Sequence, residues 1–196
     1  MSELVEHVDE HDRVLGIVER DEAVRENRLH RIAATICRDR EGRILVLRRA
    51  ETLSRFPGHY DAMVGGAVDV GESYEEAAVR ELAEELGVRM PVRFLFKLLF
   101  REGISPIWLG VHEAVVSETL VPDSDEIDWY DWLTVTELRG VLDEWRFVPG
   151  GREALRQYLG SGCGSGTSQP AAGVTGDAGH LGPAGTPPQD PVADTE

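Results

Sequence analysis

Gly65–Val88 reads GGAVDVGESYEEAAVRELAEELGV, and its local structure can be assigned residue by residue. Ser73 is a favoured N-cap and Glu76 stands three residues later, the S-x-x-E pattern in which each side chain satisfies a free backbone amide of the other. Gly87 suits the left-handed position that ends a helix. Val79, Leu82, Ala83 and Leu86 fall at i, i+3, i+4 and i+7, one apolar stripe for a core. Glu81, Glu84 and Glu85 repeat the i, i+3, i+4 spacing on an arc rotated away from that stripe. The spacing predicts a helix between Ser73 and Gly87 with an apolar face and a carboxylate face.

Three carboxylates on one arc repel one another. Like charges at i, i+4 cost a few tenths of a kcal/mol per pair (~0.2–0.5) even when exposed. A hard cation reverses the sign, because Mg²⁺ takes oxygen ligands and is held by carboxylates together with substrate phosphates. Ala77, one turn earlier, leaves room for a ligand, and Arg80 is placed to orient a neighbouring carboxylate such as Glu72. A merely solvated acidic face is the alternative.

The longer spacing separates these readings. Gly66, five residues, Glu72, seven residues, then Arg80-Glu81-Leu82-x-Glu84-Glu85-x-Gly87-Val88 complete the pattern G-x5-E-x7-R-E-U-x-E-E-x-G-U, with U aliphatic. At every defined position the chain resembles the Nudix hydrolases. The resemblance implies an α/β Nudix fold, a mixed β-sheet sandwiched between helices, and hydrolysis of a diphosphate joined to another group, X, in a nucleoside-diphosphate-linked or related small molecule, with isoprenoid diphosphates left open. It implies Mg²⁺ or Mn²⁺ on a loop–helix–loop, with Glu81, Glu84 and Glu85 as metal ligands and Glu72 as a ligand or supporting group. Arg80 belongs to the same catalytic set. One helix glutamate, or a loop carboxylate further on, would be the general base. Such a cation neutralises the diphosphate and acidifies water, and a nearby carboxylate takes the proton.

A second resemblance covers about residues 9–159. RLHRIAATICRDREGRILVLRR and FPGHYDAMVGGAVDVGES are similar to isopentenyl-diphosphate isomerase and its hydrolase-like neighbours. That makes isomerisation a rival reading, but its chemistry is missing. Gly65 stands where the isomerase carries its catalytic cysteine, Ala67 replaces a metal-binding histidine, and SPIWLGVHEA holds no Glu-x-Glu pair. His30 matches an isomerase metal ligand without that ligand's partners. A further alternative is a nucleotide-sensing module that does not cleave; such modules lose box glutamates and gain a DNA-binding domain, and neither change is seen.

Substrate-side candidates lie around the box. They are Gly66, Arg48 and Arg49 at a strand end, where a guanidinium can grip phosphate bidentately, and Glu126 from the acidic run Asp123, Asp125, Glu126 and Asp128. Trp108, Trp129 and Trp132 sit in apolar strands and read as core. His7 and His11, at i, i+4 in a strand-and-turn context, read as exposed.

Composition bounds the remainder. The chain has 196 residues and a net charge of −16, enough for one sizeable core and opposed to binding nucleic acid or an anionic membrane, which call for basic patches. The expected partner is a small-molecule diphosphate substrate; oligomeric state stays open, a homodimer included. Cys37 and Cys163 offer neither a disulfide framework nor metal spacing. MSELVEHVDEHD lacks the basic and apolar regions of a signal peptide, so a cytoplasmic enzyme is expected. Two short strands around an Asp-rich turn, the second centred on Val14–Val18, precede a short helix over 21–29. HRIAATIC and RILVLRRA form a hairpin with Gly42 in the turn, and PVRFLFKLLFR and PIWLGVHEAVV pair across 103–106. A strand enters a helix at Thr134 or Thr136, and a last helix spans 150–159. The domain thus covers 1–159. Residues 160–196, rich in Gly, Pro, Ser, Thr and Ala without Lys or Arg, are expected to be a disordered tail.

Overall fold

Strands whose sequences are apolar on both faces need cover on both faces, and the two central runs are of this kind. In the computed structural model, which describes residues 3–161, they become β3 (His30–Arg38) and β4 (Ile44–Arg49). Of the tail expected to be disordered from residue 160, Gly160 instead ends the last helix, and residues 162–196, with Cys163, lie outside the described residues. Around these two strands run β1 (Leu4–Val8), β2 (Val14–Glu19), α1 (Arg20–Arg25), β5 (Tyr60–Asp61), β6 (Val64–Ala67) and α2 (Tyr74–Leu86). The chain continues through β7 (Arg93–Phe100), β8 (Ile107–Val115), β9 (Ile127–Leu133), α3 (Val135–Val141) and α4 (Pro149–Gly160).

Seven strands make one mixed sheet in the order β5-β4-β3-β8-β7, with β6 also on β3 and β9 also on β4. β3 runs parallel to β8 from His30↔Ile107 to Arg38↔Val115, and β7 is antiparallel to β8. Side chains alternate across the sheet. Ala34, Ile36, Ile44 and Val46 join Leu138, Leu155 and Tyr158 of α3 and α4 in one core. Cys37, Leu45 and Leu47 join Leu82 and Leu86 of α2 in the other. The expected α/β sandwich is what forms, and Cys37 is a core residue whose thiol is pushed up to about 12 by burial, then by the charge of Glu85.

The expected β3–β4 hairpin is present in reduced form. The turn is there, with Gly42 at φ 82°, but only Arg38↔Ile44 registers between the strands. From Ile32 to Thr35 the partner of β3 is β6, while β4 diverges to pair with β9 and β5. The sheet therefore splits between β4 and β6. The short helix expected over 21–29 stops at Arg25, and Asn27 takes a left-handed φ of 53°.

β1 and β2 form a separate antiparallel pair. Asp12 in its turn anchors it: Arg31 Nε donates to Asp12 at 2.6 Å, Tyr74 Oη at 3.1 Å, and Lys97 forms an ion pair with it. Arg31 also bonds Glu6 at 2.5 Å. His11 is exposed in that turn, as expected. No helix among the described residues is long and apolar enough to cross a membrane.

Candidate active site

The helix that carries the glutamates forms as the caps require. Ser73 accepts from the Glu76 amide, Glu76 accepts from the Ser73 amide at 2.9 Å, and Gly87 closes the helix at φ 68°. Its buried face, however, is rotated from the expected stripe. Ala77, Ala78, Glu81, Leu82, Glu85 and Leu86 are buried, while Val79 and Ala83 are only half-buried. Ala77 leaves no opening for a ligand; it packs with Ala33, Val68 and Ala78. The three glutamates do not share one exposed arc either. Glu81 and Glu85 retain 9% and 7% of their exposure, and Glu84 faces solvent.

Two glycines let the buried pair reach the sheet. A Cβ on Gly66 would lie 2.4 Å from Glu81 Oε1, so any side chain there displaces this carboxylate. A Cβ on Gly65 would lie 2.1 Å from the Ala33 carbonyl oxygen and 2.7 Å from Ala34 Cα. The pairing of β6 with β3 thus excludes every side chain at Gly65, a cysteine among them. Gly65 instead donates its amide to Glu85 Oε1 at 3.0 Å.

Arg80 is the cation of the group. Its guanidinium bonds Glu72 at 3.0 and 3.1 Å, Glu81 at 2.6 Å, Glu84 at 3.1 Å and the Ala67 carbonyl at 2.9 Å. The expected pairing with Glu72 is present, extended to two helix glutamates. Hydrogen bonding and charge from Arg80 hold Glu72 below the usual carboxylate range, outweighing its desolvation. Glu81 goes the other way, raised by desolvation that Arg80 only partly offsets. Glu85 is raised well above the ordinary value, by burial first and then by the charges of Glu81 and Glu126.

Among the described residues no three acidic or metal-binding side chains are set as a ready cage, and the expected ligands Glu81, Glu84 and Glu85 bond different partners. Arg80 draws Glu72, Glu81 and Glu84, and Glu85 is turned to Gly65. The donors nevertheless suit a hard divalent cation. They are all carboxylate oxygens, two are already desolvated, and burial with the charges of Glu81 and Glu126 raises the proton affinity of Glu85, a cost that a bound cation would relieve.

On the face of the sheet that carries α3 and α4, a cavity of about 180 Å³ opens onto Glu85 and Gly65. Its walls are mostly apolar, including Ile32, Met63, Phe100 and Leu109, with Arg20, Arg49 and Arg55 among the polar groups. Alternation along β4 separates the two candidate arginines. Arg49 lines the cavity, its Nε bonded to the Arg55 carbonyl at 3.2 Å. Arg48 is paired with Glu51 and, at 3.5 Å, with Asp128, and of the two candidates only Arg49 lines the cavity. Glu126 is half-buried, and its charge acts on Glu85. No tryptophan lines the cavity. Trp129 and Trp132 pack against the two cores, and Trp108 donates to the Asp9 carbonyl at 3.1 Å.

Four pocket residues had no role in the sequence reading. Arg20 and Arg55 carry no local signal. His30, which matches an isomerase metal ligand without that ligand's partners, is buried at the cavity wall, and desolvation holds its pKa below the ordinary value. Asp61 did carry a signal: a carboxylate inside the apolar run HYDAMV is out of place unless something uses it.

A mixed sheet split beside a capped, glutamate-bearing helix, with a cavity at the split, is the architecture of a Nudix domain. The NUDIX domain family matches residues 28–158. The chain belongs to the Nudix hydrolase family. It is 44% identical over 170 residues to a Nudix hydrolase of Streptomyces coelicolor, covering 83% of this chain and 94% of that one. It is 31% identical to a prenyl-diphosphate phosphatase of Methanosarcina mazei, covering 82% and 97%. The crystal structure of DR0079 from Deinococcus radiodurans superposes with a TM-score of 0.69 at 31% identity, covering 79% of this chain and 98% of that one.

Proposed function

We propose that this Nudix hydrolase uses Mg²⁺ or Mn²⁺ to cleave the diphosphate linkage of a small-molecule substrate seated in the cavity beside Glu85. The observation that carries this reading is the position of Glu85: one carboxylate, almost fully buried, belongs both to the box and to the cavity wall. Glu81 and Glu85 would hold the cation, with Glu72, Glu84 and Glu126 alongside. When bound, the cation neutralises diphosphate oxygens and acidifies water.

The chain's own residues supply the rest. Arg49 meets the substrate phosphates from the cavity wall near Glu85, since neither of its Nη groups has a protein acceptor among the described residues. Arg80 orients Glu72, Glu81 and Glu84 and limits their repulsion. Apolar walls exclude bulk water from X. Water oxygen bonds to one phosphorus, the bridging P–O bond breaks, and a carboxylate of the set takes the proton. Glu126, on the loop before β9, is the loop carboxylate placed to assist.

Isomerisation has no support at this site, because Gly65 cannot carry a side chain. The test is turnover of a diphosphate panel with Mg²⁺ and Mn²⁺, read as released phosphate or pyrophosphate. Glu81→Gln and Glu85→Gln are expected to lose at least about two orders of magnitude in rate. Near-normal Mg²⁺ binding and hydrolysis in both variants would overturn the assignment, and formation of dimethylallyl from isopentenyl diphosphate would restore the isomerase.

A further inference from the structure

The cavity contains a carboxyl group that the hydrolytic set does not use. Asp61, at the end of β5, is half-buried and lines the cavity. Its Oδ1 accepts the Met63 amide at 3.2 Å and lies against Gly151 at the start of α4, where a Cβ would come within 2.4 Å of it. Among the described residues no side chain donates to Asp61 and no cation pairs with it. Burial pushes it up to about 7, with Arg49 and the Ala62 and Met63 amides offsetting only part of the cost.

His30 adds a second acceptor. Its Nδ1 lies 3.1 Å from the Arg28 carbonyl, which can only accept, so Nδ1 carries the hydrogen. Burial keeps the ring neutral, which leaves Nε2 as an acceptor at a residue of the same cavity wall. An acceptor at a cavity wall gives up its water when a ligand fills the cavity, and then costs stability unless the ligand donates to it. An apolar pocket that only had to enclose a hydrocarbon would be better lined by a leucine at either place.

We infer that Asp61 is the specificity-determining residue of this cavity: it accepts a hydrogen bond from a hydroxyl or amine carried by X, with His30 as a second acceptor. The substrate class is then a diphosphate whose X is polar and donor-bearing rather than a hydrocarbon chain. This rests on the diphosphate-hydrolase reading above. It is also opposite to the substrate in the name of the Methanosarcina mazei relative. A site built around a buried hydrogen-bonding group rejects analogues that lack its partner much more strongly than an apolar pocket rejects a wrong size.

Two probes share the diphosphate and differ in X: uridine diphosphate, with ribose hydroxyls, and dimethylallyl diphosphate, with none. The full-length protein with Mg²⁺ is expected to favour uridine diphosphate in kcat/KM by at least about tenfold. Asp61→Asn keeps the shape and an oxygen for the Met63 amide, but replaces the remaining acceptor with a donor. It is expected to raise KM for uridine diphosphate by about 10–100-fold with kcat within about twofold, and to leave dimethylallyl diphosphate unchanged. His30→Gln, which also retains an acceptor, is expected to do less.

Equal losses on both probes, with a lowered melting temperature, would make Asp61 a structural group and overturn the inference while leaving the hydrolase intact. A wild-type preference for dimethylallyl diphosphate would overturn it as well. If neither probe is hydrolysed, the hydrolase reading fails for this class, and calorimetric binding of the same probes decides the inference separately. Binding of uridine diphosphate that Asp61→Asn weakens supports it; absent or unaltered binding overturns it.

Discussion

Glu85 and Asp61 are both carboxyl groups that folding has made expensive to ionise, and their pH behaviour tests the geometry directly. Asp61 rises from 3.8 to about 7, so the folded chain keeps a proton that the unfolded chain has already released. Its contribution is fully favourable below about pH 4 and is lost as pH rises through about 7, a penalty on the order of 4 kcal/mol. Metal-free Asp61→Asn should therefore melt several degrees above the wild type at pH 8, and the difference should vanish near pH 4. Calorimetric scans across that range check it; a constant difference would place Asp61 in contact with a charge partner. Glu85 is raised by burial, Glu81 and Glu126. A cation must expel that proton to bind. Mg²⁺ affinity should consequently rise with pH, with proton release measurable by calorimetry in buffers of different ionisation heat. Metal-free Glu85→Gln should be as stable as the wild type or more so, having lost one member of a repelling set.

At the scale of elements, α2 is the part whose stability and function can be separated. Its capping box involves Ser73 and Glu76, neither of which reaches the cavity. Ser73→Ala should cost about 1 kcal/mol and lower Tm by roughly 2–4 °C. Turnover at 25 °C should stay near normal, because the glutamates and the β6 glycines are unchanged. Gly66→Ala should do the reverse. Its Cβ would meet only the far end of Glu81, a flexible side chain, so the fold should survive while the carboxylate is displaced. Melting curves paired with Mg²⁺ titrations separate the two variants. Gly65→Ala belongs to a different category, since its new Cβ would meet backbone atoms of β3; the β6–β3 pairing should loosen and the protein destabilise by several kcal/mol, on the order of 2–4.

For the whole molecule, the cavity is a composite. β3 and β8 give its floor, β4 gives Arg49, α2 gives Glu85, and α1 gives Arg20 and Val24. The β1–β2 pair and α1 are held to this frame by the cluster of Val5, Val18 and Ala23 with Ile32 and Ala67 of the main sheet, and by Asp12 with Arg31, Tyr74 and Lys97. Asp12→Ala removes a buried acceptor shared by three side chains. It should loosen that pair and weaken substrate binding by moving Arg20, which lines the cavity; a raised KM with kcat near normal checks it. Truncation after residue 161 should leave both Tm and turnover unchanged, on the compositional ground that the tail has too little apolar surface to pack. A fall of several degrees would show that it docks.

How much of this was legible in the sequence follows from the range of the forces involved. Caps, turns and the split between helical and strand periodicity depend on neighbours within a few residues. The box helix, the turn at Gly42, a cap at Thr134 or Thr136 and the strand pair across 103–106 could all be read from spacing, as could the pairing of Arg80 with Glu72. Periodicity misplaced the buried face of α2 because it counts only apolar residues as inward. Glu81 and Glu85 turn inward because Gly66 makes room for one and the Gly65 amide is offered to the other, from a strand some twenty residues away. Arg48 and Arg49 are equal in sequence and were separated only by which face of β4 met the cavity. Asp61, His30, Arg20 and Arg55 are scattered along the chain and become one site only where β3, β5 and α1 come together. Burial and proximity between distant segments set the charge state and the partners of these side chains, and neither property is local to a stretch of sequence.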